Sequence, residues 1–398
     1  LASRASTPVL EVMRGIARIG GHVAKETLTR PRARLASDIP VTGRDVTVEW
    51  LTAVLCAGHP GAEVESFDTQ DVSTGTSTRW NLGVTYNVAG RAAGLPEQLF
   101  AKTTADFKQR LTLDLAGIIG GEPGFFTHLR PALDIEAPRG YHSAVDYRSG
   151  RTISLLENIV STKGARFCTP QTPIDHTQMA DLLRTMASWH APYWNDAELE
   201  RHRWLKPPQA HFANLDRLIG MSKRAQVGAR RAASVLPETL ADDHDRLYRA
   251  LQRSLEIAST GAQTFLHGDS HVGNTYITSG GRMGFTDWQV VLRGSWAYDV
   301  AYVIGSGLAV HDRRTWEREL LAVYLDRLAE CGAPAPDFDT AWLAYRQQAL
   351  YPYFIWLATI GHSAIQPKYQ PDEISLGIIE RTANAVLDLD AVKALEEG

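Results

Sequence analysis

Residues 265–289 read Phe265-Leu-His-Gly-Asp-Ser-His-Val-Gly-Asn-Thr-Tyr-Ile277, then Thr-Ser-Gly-Gly-Arg-Met-Gly-Phe-Thr-Asp-Trp-Gln289, and this island decides the fold. Thr275–Thr278 and Met283–Thr286 flank Ser-Gly-Gly-Arg, which predicts a β-hairpin. Asp269 lies before the hairpin, Asn274 at its entrance and Asp287 at its exit, so the three can converge. A carboxylate, an amide oxygen and a second carboxylate are hard oxygen donors. They suit Mg²⁺ shared with substrate phosphates, since that ion keeps several waters and needs few protein ligands.

The spacing Asp-x4-Asn-x12-Asp is the order of the protein-kinase catalytic core, where the first Asp orients the accepting hydroxyl and the other two hold metal. Here the first element is His-Gly-Asp, not His-Arg-Asp. The form His-Gly-Asp-x-His-x-Gly-Asn followed by an Asp after a hairpin resembles the aminoglycoside phosphotransferase and choline kinase superfamily. Asp287-Trp-Gln and Trp296-Ala-Tyr-Asp-Val-Ala301 look closest to its ecdysteroid-kinase-like branch. The resemblance implies an α+β, bilobal, protein-kinase-like fold: a small antiparallel five-stranded β lobe with one helix, and a larger mainly helical lobe. It implies ATP and Mg²⁺, with Asp269 as the catalytic carboxylate and Asn274 and Asp287 as metal ligands. It implies that Lys102, in Leu-Phe-Ala-Lys, binds the nucleotide's phosphates with Glu122 as its partner, although Asp106, Asp114 or Glu97 would serve if the helix phase differs. Ser73–Thr78 is the candidate phosphate-covering turn, with Ser73, Thr74 and Gly75 as its candidate binding residues and a single glycine where kinases carry three. Glu157, Asn158 and Ile159 resemble the connector that meets the adenine edge.

Outward from the island, the chain divides by character. Residues 1–44 are basic, with Val9, Leu10, Met13, Ile16 and Ile19 at helical spacing, and Thr29–Pro40 reads as a linker. Residues 45–158 hold a short capped helix after Thr47 and strands at Val64–Val72, Trp80–Ala89, Glu97–Thr103, Arg139–Tyr147 and Thr152–Glu157. A helical stretch from Ala105 to Leu133 is expected to break near Gly120-Gly121 and Pro123. Residues 159–398 are mainly helical, with apolar periodicity at Thr177–His190, Leu240–Ser259 and Thr315–Glu330.

Composition narrows the function. Hydrophobic residues make up 44% and charged residues 22%, which excludes a disordered or fibrous chain. A net charge of −4 gives no general attraction to nucleic acid. Cys56, Cys168 and Cys331 are too dispersed for a zinc knuckle or redox pair and suit a reduced cytoplasm. The uncharged run Gln347–Pro367 contains Pro352 and His362 and reads as a buried helix, so no stable membrane insertion is expected. Lys223, Arg224, Arg230 and Arg231 read as a solvated helix face.

Together these features point to an enzyme that moves the γ-phosphoryl of ATP to a hydroxyl of a small-molecule alcohol. Two alternatives stand beside it: a metal-dependent phosphoesterase built on His267, Asp269 and His271, and a nucleotide-binding protein without turnover. Only eleven residues separate Asp287 from Asp299, too few for a peptide-docking activation segment. The aromatic stretch 342–356 is either core or the wall of an apolar acceptor pocket.

Overall fold

The computed structural model describes residues 8–241, 243–362 and 370–397. It is an α+β structure with one five-stranded antiparallel sheet and a larger, mainly helical part. Contacts divide it into two compact units, residues 1–133 with 138–165, and residues 134–137 with 166–398.

In the first unit, strands β1 (Val64–Thr74), β2 (Thr78–Tyr86), β3 (Gln98–Thr103), β4 (Gly140–Asp146) and β5 (Arg151–Glu157) pair in the order β1-β2-β3-β5-β4. Alternation along β2 buries Trp80, Leu82, Val84 and Tyr86 on one face, where Leu99, Ala101, Ile153 and Leu155 join them. Fully burying side chains of this size is worth roughly 1.5–3 kcal/mol each, and this cluster is the unit's core. Helix α2 (Val48–Leu55), capped by Thr47 Oγ1 accepting from Trp50 N–H, covers it with Trp50, Leu51, Val54 and Leu55. The same alternation turns Lys102 to the opposite face, beside Ser154 and Arg79 in register.

Helix α1 (Pro8–Thr29) packs on α3 (Phe107–Ala116), but not through its predicted stripe. Leu10, Met13 and Ile16 stay exposed while Ile19 is buried. The docking face runs instead through Gly15 against Leu111 and through the ion pairs Arg18–Asp114 and Glu26–Arg110. The predicted helix break is found at residues 117–120. Helix α3 ends at Gly117, which takes the left-handed conformation (φ 72°) that favours glycine, and Pro123 lies inside the next short helix, α4 (Gly121–Gly124).

In the second unit, α5 (His176–His190) buries Met179, Leu182, Leu183, Met186 and Trp189. Helix α6 (Met221–Arg231) leaves Lys223, Arg230 and Arg231 exposed as a solvated face would, while Arg224 is half-buried. Arg224 donates to the Ala358 carbonyl and Arg231 to those of Ile360 and His362, satisfying the last turn of a later helix. After the short strand β6 (Arg166–Phe167), helix α7 (His244–Thr260) leads to the island strands β7 (Thr264–Leu266), β8 (Thr275–Ile277), β9 (Met283–Phe285) and β10 (Leu292–Gly294). Helix α8 (Ala297–Gly307) is buried along its whole length, α9 (Val310–Glu330) packs on α5, and α10 (Leu350–Ile360) packs on α6 and on α11 (Asp372–Asp388). The aromatics Tyr345, Tyr351, Tyr353, Phe354 and Trp356 are core, and Trp342 stacks with Phe338 beneath Arg318. Residues 363–367 of the uncharged run lie outside the described residues. Among the described residues no helix is long and apolar enough to cross a membrane, and the three cysteines are free thiols.

Candidate active site

Strand β7 delivers His267 into a loop whose shape is set from below by α8. Gly268 takes φ 78°, and a Cβ there would stand 2.0 Å from the Val290 carbonyl oxygen, so only glycine fits between His267 and Asp269. Asp299, with no exposed surface, accepts from His267 N–H at 2.6 Å and from Gly268 N–H at 3.0 Å. Its own carbonyl accepts from Ser270 Oγ at 3.0 Å. Tyr302 Oη donates to Asp269 Oδ1 at 3.2 Å, and Val272 N–H donates to Ser306 Oγ at 3.3 Å. Asp299, Tyr302 and Ser306 are spaced i, i+3, i+7, so one face of one helix holds five loop residues, His267 to Ser270 and Val272.

The histidines complete the support. His267 Nε2 meets the Thr286 carbonyl at 2.9 Å while Nδ1 accepts from Asp269 N–H, which ties the loop to the hairpin's exit. Both ring nitrogens are thus engaged within the chain. His271 Nδ1 accepts from Gly273 N–H at 3.0 Å, which leaves the ring proton on Nε2, 3.7 Å from Asp269 Oδ2. Burial lowers the pKa of His271 below its ordinary value, against the opposing pull of Asp269 and Asp287. Behind Asp299, His190 places Nε2 3.6 Å from Oδ2 and pairs Nδ1 with Tyr324 Oη at 2.9 Å. Burial likewise depresses its pKa, with Asp299 acting in the opposite sense.

Asn274 meets Asp269 directly, and the hairpin backbone sets Asp287 beside Asn274. Asn274 Nδ2 donates to the Asp269 carbonyl at 2.8 Å and to its Oδ2 at 3.2 Å, so the amide oxygen is the atom turned away from Asp269. Thr286 N–H donates to the Asn274 carbonyl at 2.8 Å, which sets Asp287 next to Asn274 across the hairpin. Asp287 adopts a left-handed backbone (φ 61°), a strained choice for a non-glycine residue that functional sites tend to retain. An oriented amide oxygen beside a carboxylate is the donor chemistry that Mg²⁺ takes. The trio His267, Asp269 and His271 makes a poor transition-metal site. His267 has no nitrogen to spare, and among the described residues no group of three or more His, Cys, Asp or Glu could hold a metal.

In the first unit, Lys102 Nζ and Glu122 Oε1 are 2.5 Å apart and both side chains are buried, so Glu122 rather than Asp106, Asp114 or Glu97 meets the lysine. Asp106 instead caps α3, and Asp114 pairs with Arg18. Ser73 and Thr74 end β1 exposed, and Gly75 opens the turn, its carbonyl held by Gln109 Nε2 at 3.0 Å. The same turn carries Ser77, buried with a hydroxyl that makes no hydrogen bond among the described residues. Ser77 lies inside the turn read from the sequence, and an unsatisfied buried hydroxyl in a candidate phosphate turn is a group that a ligand would satisfy. Glu157 and Asn158 are committed internally. Their N–H groups go to Arg139 O and Gln98 O, and the Asn158 side chain caps the helix that begins at Ile159.

No curated protein matches the chain in sequence. Solved structures similar to it include macrolide 2'-phosphotransferase MphH from Brachybacterium faecium (16% identity, 84% of this chain and 97% of that one, TM-score 0.42). Choline kinase LicA from Streptococcus pneumoniae is a second (14% identity, 88% and 97%, TM-score 0.44). An ethanolamine kinase from Plasmodium vivax is a third (11% identity, 82% and 85%, TM-score 0.45). The family model described as APH, phosphotransferase enzyme family, matches residues 115–346, which takes in Glu122 and the whole island. That is more than half of the chain, and on this ground the protein belongs to the phosphotransferase enzyme family.

Proposed function

We propose that this phosphotransferase moves the γ-phosphoryl group of ATP to a hydroxyl of a small molecule. The observation that carries the reading is the meeting of Asp269, Asn274 and Asp287 around one hairpin, with Asn274 hydrogen-bonded to Asp269. In the reaction the acceptor oxygen bonds to the γ-phosphorus, the bond to the β–γ bridging oxygen breaks, and ADP leaves with that electron pair. Asp269 orients the hydroxyl and takes its proton late in a loose transition state. Asn274 and Asp287 would hold Mg²⁺, whose charge neutralises the phosphate oxygens. Lys102, kept extended by Glu122, binds the remaining phosphates, and the Ser73–Gly75 turn covers them with the Ser77 hydroxyl as a further donor. Adenine meets the connector at Ile159, since the N–H groups of Glu157 and Asn158 are already used.

A small acceptor is supported by the segment between Asp287 and Asp299. Trp288, Val291, Leu292 and Trp296 are all buried there, so the segment is core and offers no peptide-docking surface. The aromatics near residue 350 are core too, which removes the argument for an aromatic acceptor wall. The ecdysteroid-kinase-like branch is our reading of Asp287-Trp-Gln, and it favours a metabolite alcohol over an aminoglycoside.

The test is ADP release from Mg·ATP across a panel of alcohols, choline analogues, sterols and aminoglycosides. The expected result is turnover with at least one acceptor, abolished in Asp269→Asn and Asp287→Ala while both stay folded. Near-normal rates in either variant would refute the assignment. Tight ATP binding with no product from any acceptor would leave a binding protein.

A further inference from the structure

Beneath the candidate base lies a buried chain of polar atoms that no step above uses. Trp356 Nε1 donates to Tyr302 Oη at 2.8 Å, and Tyr302 Oη donates to Asp269 Oδ1 at 3.2 Å. Both aromatic side chains are buried, Tyr302 at 1% exposure and Trp356 at 4%. The direction of this chain is fixed by chemistry. An indole N–H can only donate, so it takes a lone pair of the tyrosine oxygen, and the single hydroxyl proton is left for the carboxylate. Asp269 Oδ2 receives Asn274 Nδ2 from another side. Each oxygen of the carboxylate therefore has its own tether, and rotation about its Cβ–Cγ bond must break one of them.

We infer that Tyr302 is a positioning residue for phosphoryl transfer, holding the Asp269 carboxylate in the plane that meets the acceptor hydroxyl, with Trp356 orienting the Tyr302 hydroxyl. This rests on the reading of Asp269 as the base. A tyrosine needed only to fill space would leave its hydroxyl dispensable, so Tyr302→Phe keeps the packing and removes the function under test. A hydrogen bond to a charged group is worth enough to change a rate by about 10- to 100-fold when its orienting effect is felt in the transition state.

The experiment compares wild type, Asp269→Ala, Tyr302→Phe, Trp356→Phe and the double variant in ADP release from Mg·ATP, with water as acceptor. Tyr302→Phe is expected to lower kcat about 10- to 100-fold with the KM for ATP unchanged, since the loss falls on the chemical step. Trp356→Phe should cost less, and nothing further once Tyr302 is already Phe, because its effect passes through that hydroxyl. If Asp269→Ala keeps the wild-type rate, the assignment of the base fails. If Asp269→Ala is dead while Tyr302→Phe turns over normally, the positioning role alone is overturned. A second readout needs no turnover: the indole N–H resonance of Trp356 in the full chain labelled with ¹⁵N-tryptophan, assigned by its disappearance in Trp356→Phe. It should move in Tyr302→Phe and also in Asp269→Asn; a resonance unmoved in Asp269→Asn would show that the chain does not connect the two residues.

Discussion

Replacing Asp299 by Asn tests the foundation of the site, because the two side chains have the same shape and differ in what their terminal atoms can accept. The Asp299 carboxylate receives His267 N–H at 2.6 Å and Gly268 N–H at 3.0 Å, with His190 Nε2 at 3.6 Å from the oxygen that serves His267. An asparagine has one accepting oxygen. Its cheaper orientation keeps that oxygen on His267 and turns the NH₂ group toward Gly268, where donor faces donor. A buried N–H left unsatisfied costs about 1–3 kcal/mol. The surviving bond also falls from ionic to neutral strength, which adds roughly 1 kcal/mol. The sum is about 2–4 kcal/mol, inside the roughly 5–15 kcal/mol that a domain has to lose, so the variant is expected to fold. Urea denaturation should show this loss directly. The strain falls on the residue pair immediately before Asp269, so kcat for ADP release should drop about 30-fold or more. Stability within about 0.5 kcal/mol of wild type, with turnover within about threefold, would show that Asp299 does not hold the loop. A full stability loss with unchanged kcat would detach loop geometry from chemistry, and the role of Asp269 would fall with it.

Three further outcomes follow from the same coordinates. Gly268→Ala forces a Cβ to 2.0 Å from the Val290 carbonyl oxygen at φ 78°, so turnover should fall at least about 100-fold; a wild-type rate would mean the loop is not held as described. Lys102→Met takes the cation from a buried carboxylate 2.5 Å away, a loss of about 3–5 kcal/mol, and abolishes ATP turnover. The double variant Lys102→Met/Glu122→Leu should regain most of the stability in urea melts and none of the activity, and recovery of both would deny Lys102 its nucleotide role. His211 is buried near Lys206, with burial the larger cause of a pKa lowered from 6.5 to about 4. The unfolded chain then binds the extra proton first, so stability is full above pH 6.5 and is lost as pH falls toward 4, by about 3 kcal/mol at the lower end. Urea midpoints measured across that range should fall with pH, and His211→Gln should flatten the slope.

What could be read from the sequence was what chemistry or periodicity forces into neighbouring positions. The hairpin at 275–285 was legible because its turn residues and its flanking polar groups are contiguous, and Lys102 because the alternation of β3 turns it away from the core. The docking face of α1 was misread. Its apolar stripe is real, but the contact is made by a glycine and by two ion pairs whose partners lie far along the chain. The helix break beside Gly120 was legible from its glycines, while Pro123 does not interrupt the chain because proline is at ease in a first helical turn. The supports of the site were the least legible. His190, Tyr302 and Trp356 are ordinary core types, and their partners stand at separations set by packing rather than by any local rule. Arg224 and Arg231 were missed for the related reason that a cationic helix face and a cap on a neighbouring helix have the same sequence pattern.

For a loose transition state, rate comes from holding groups still, and loops are poor at holding still unless something regular lies beneath them. Helix α8 supplies that regularity. Its residues Asp299, Tyr302 and Ser306 engage His267 and Gly268, Asp269, and Val272 in the same order along both segments. One helical turn advances about 5.4 Å, close to the span of two loop residues bent as these are, so the match in register needs no long side chains. The short link from Asp287 to Asp299 then ties the second carboxylate to the same helix by eleven residues, most of them buried. Base and metal-ligand positions thus share one reference element. A perturbation that tilts α8 should shift Asp269 and Asp287 together and spare their mutual distance, whereas a change confined to the 278–282 turn should move neither, so turn substitutions should be tolerated where α8 substitutions are not.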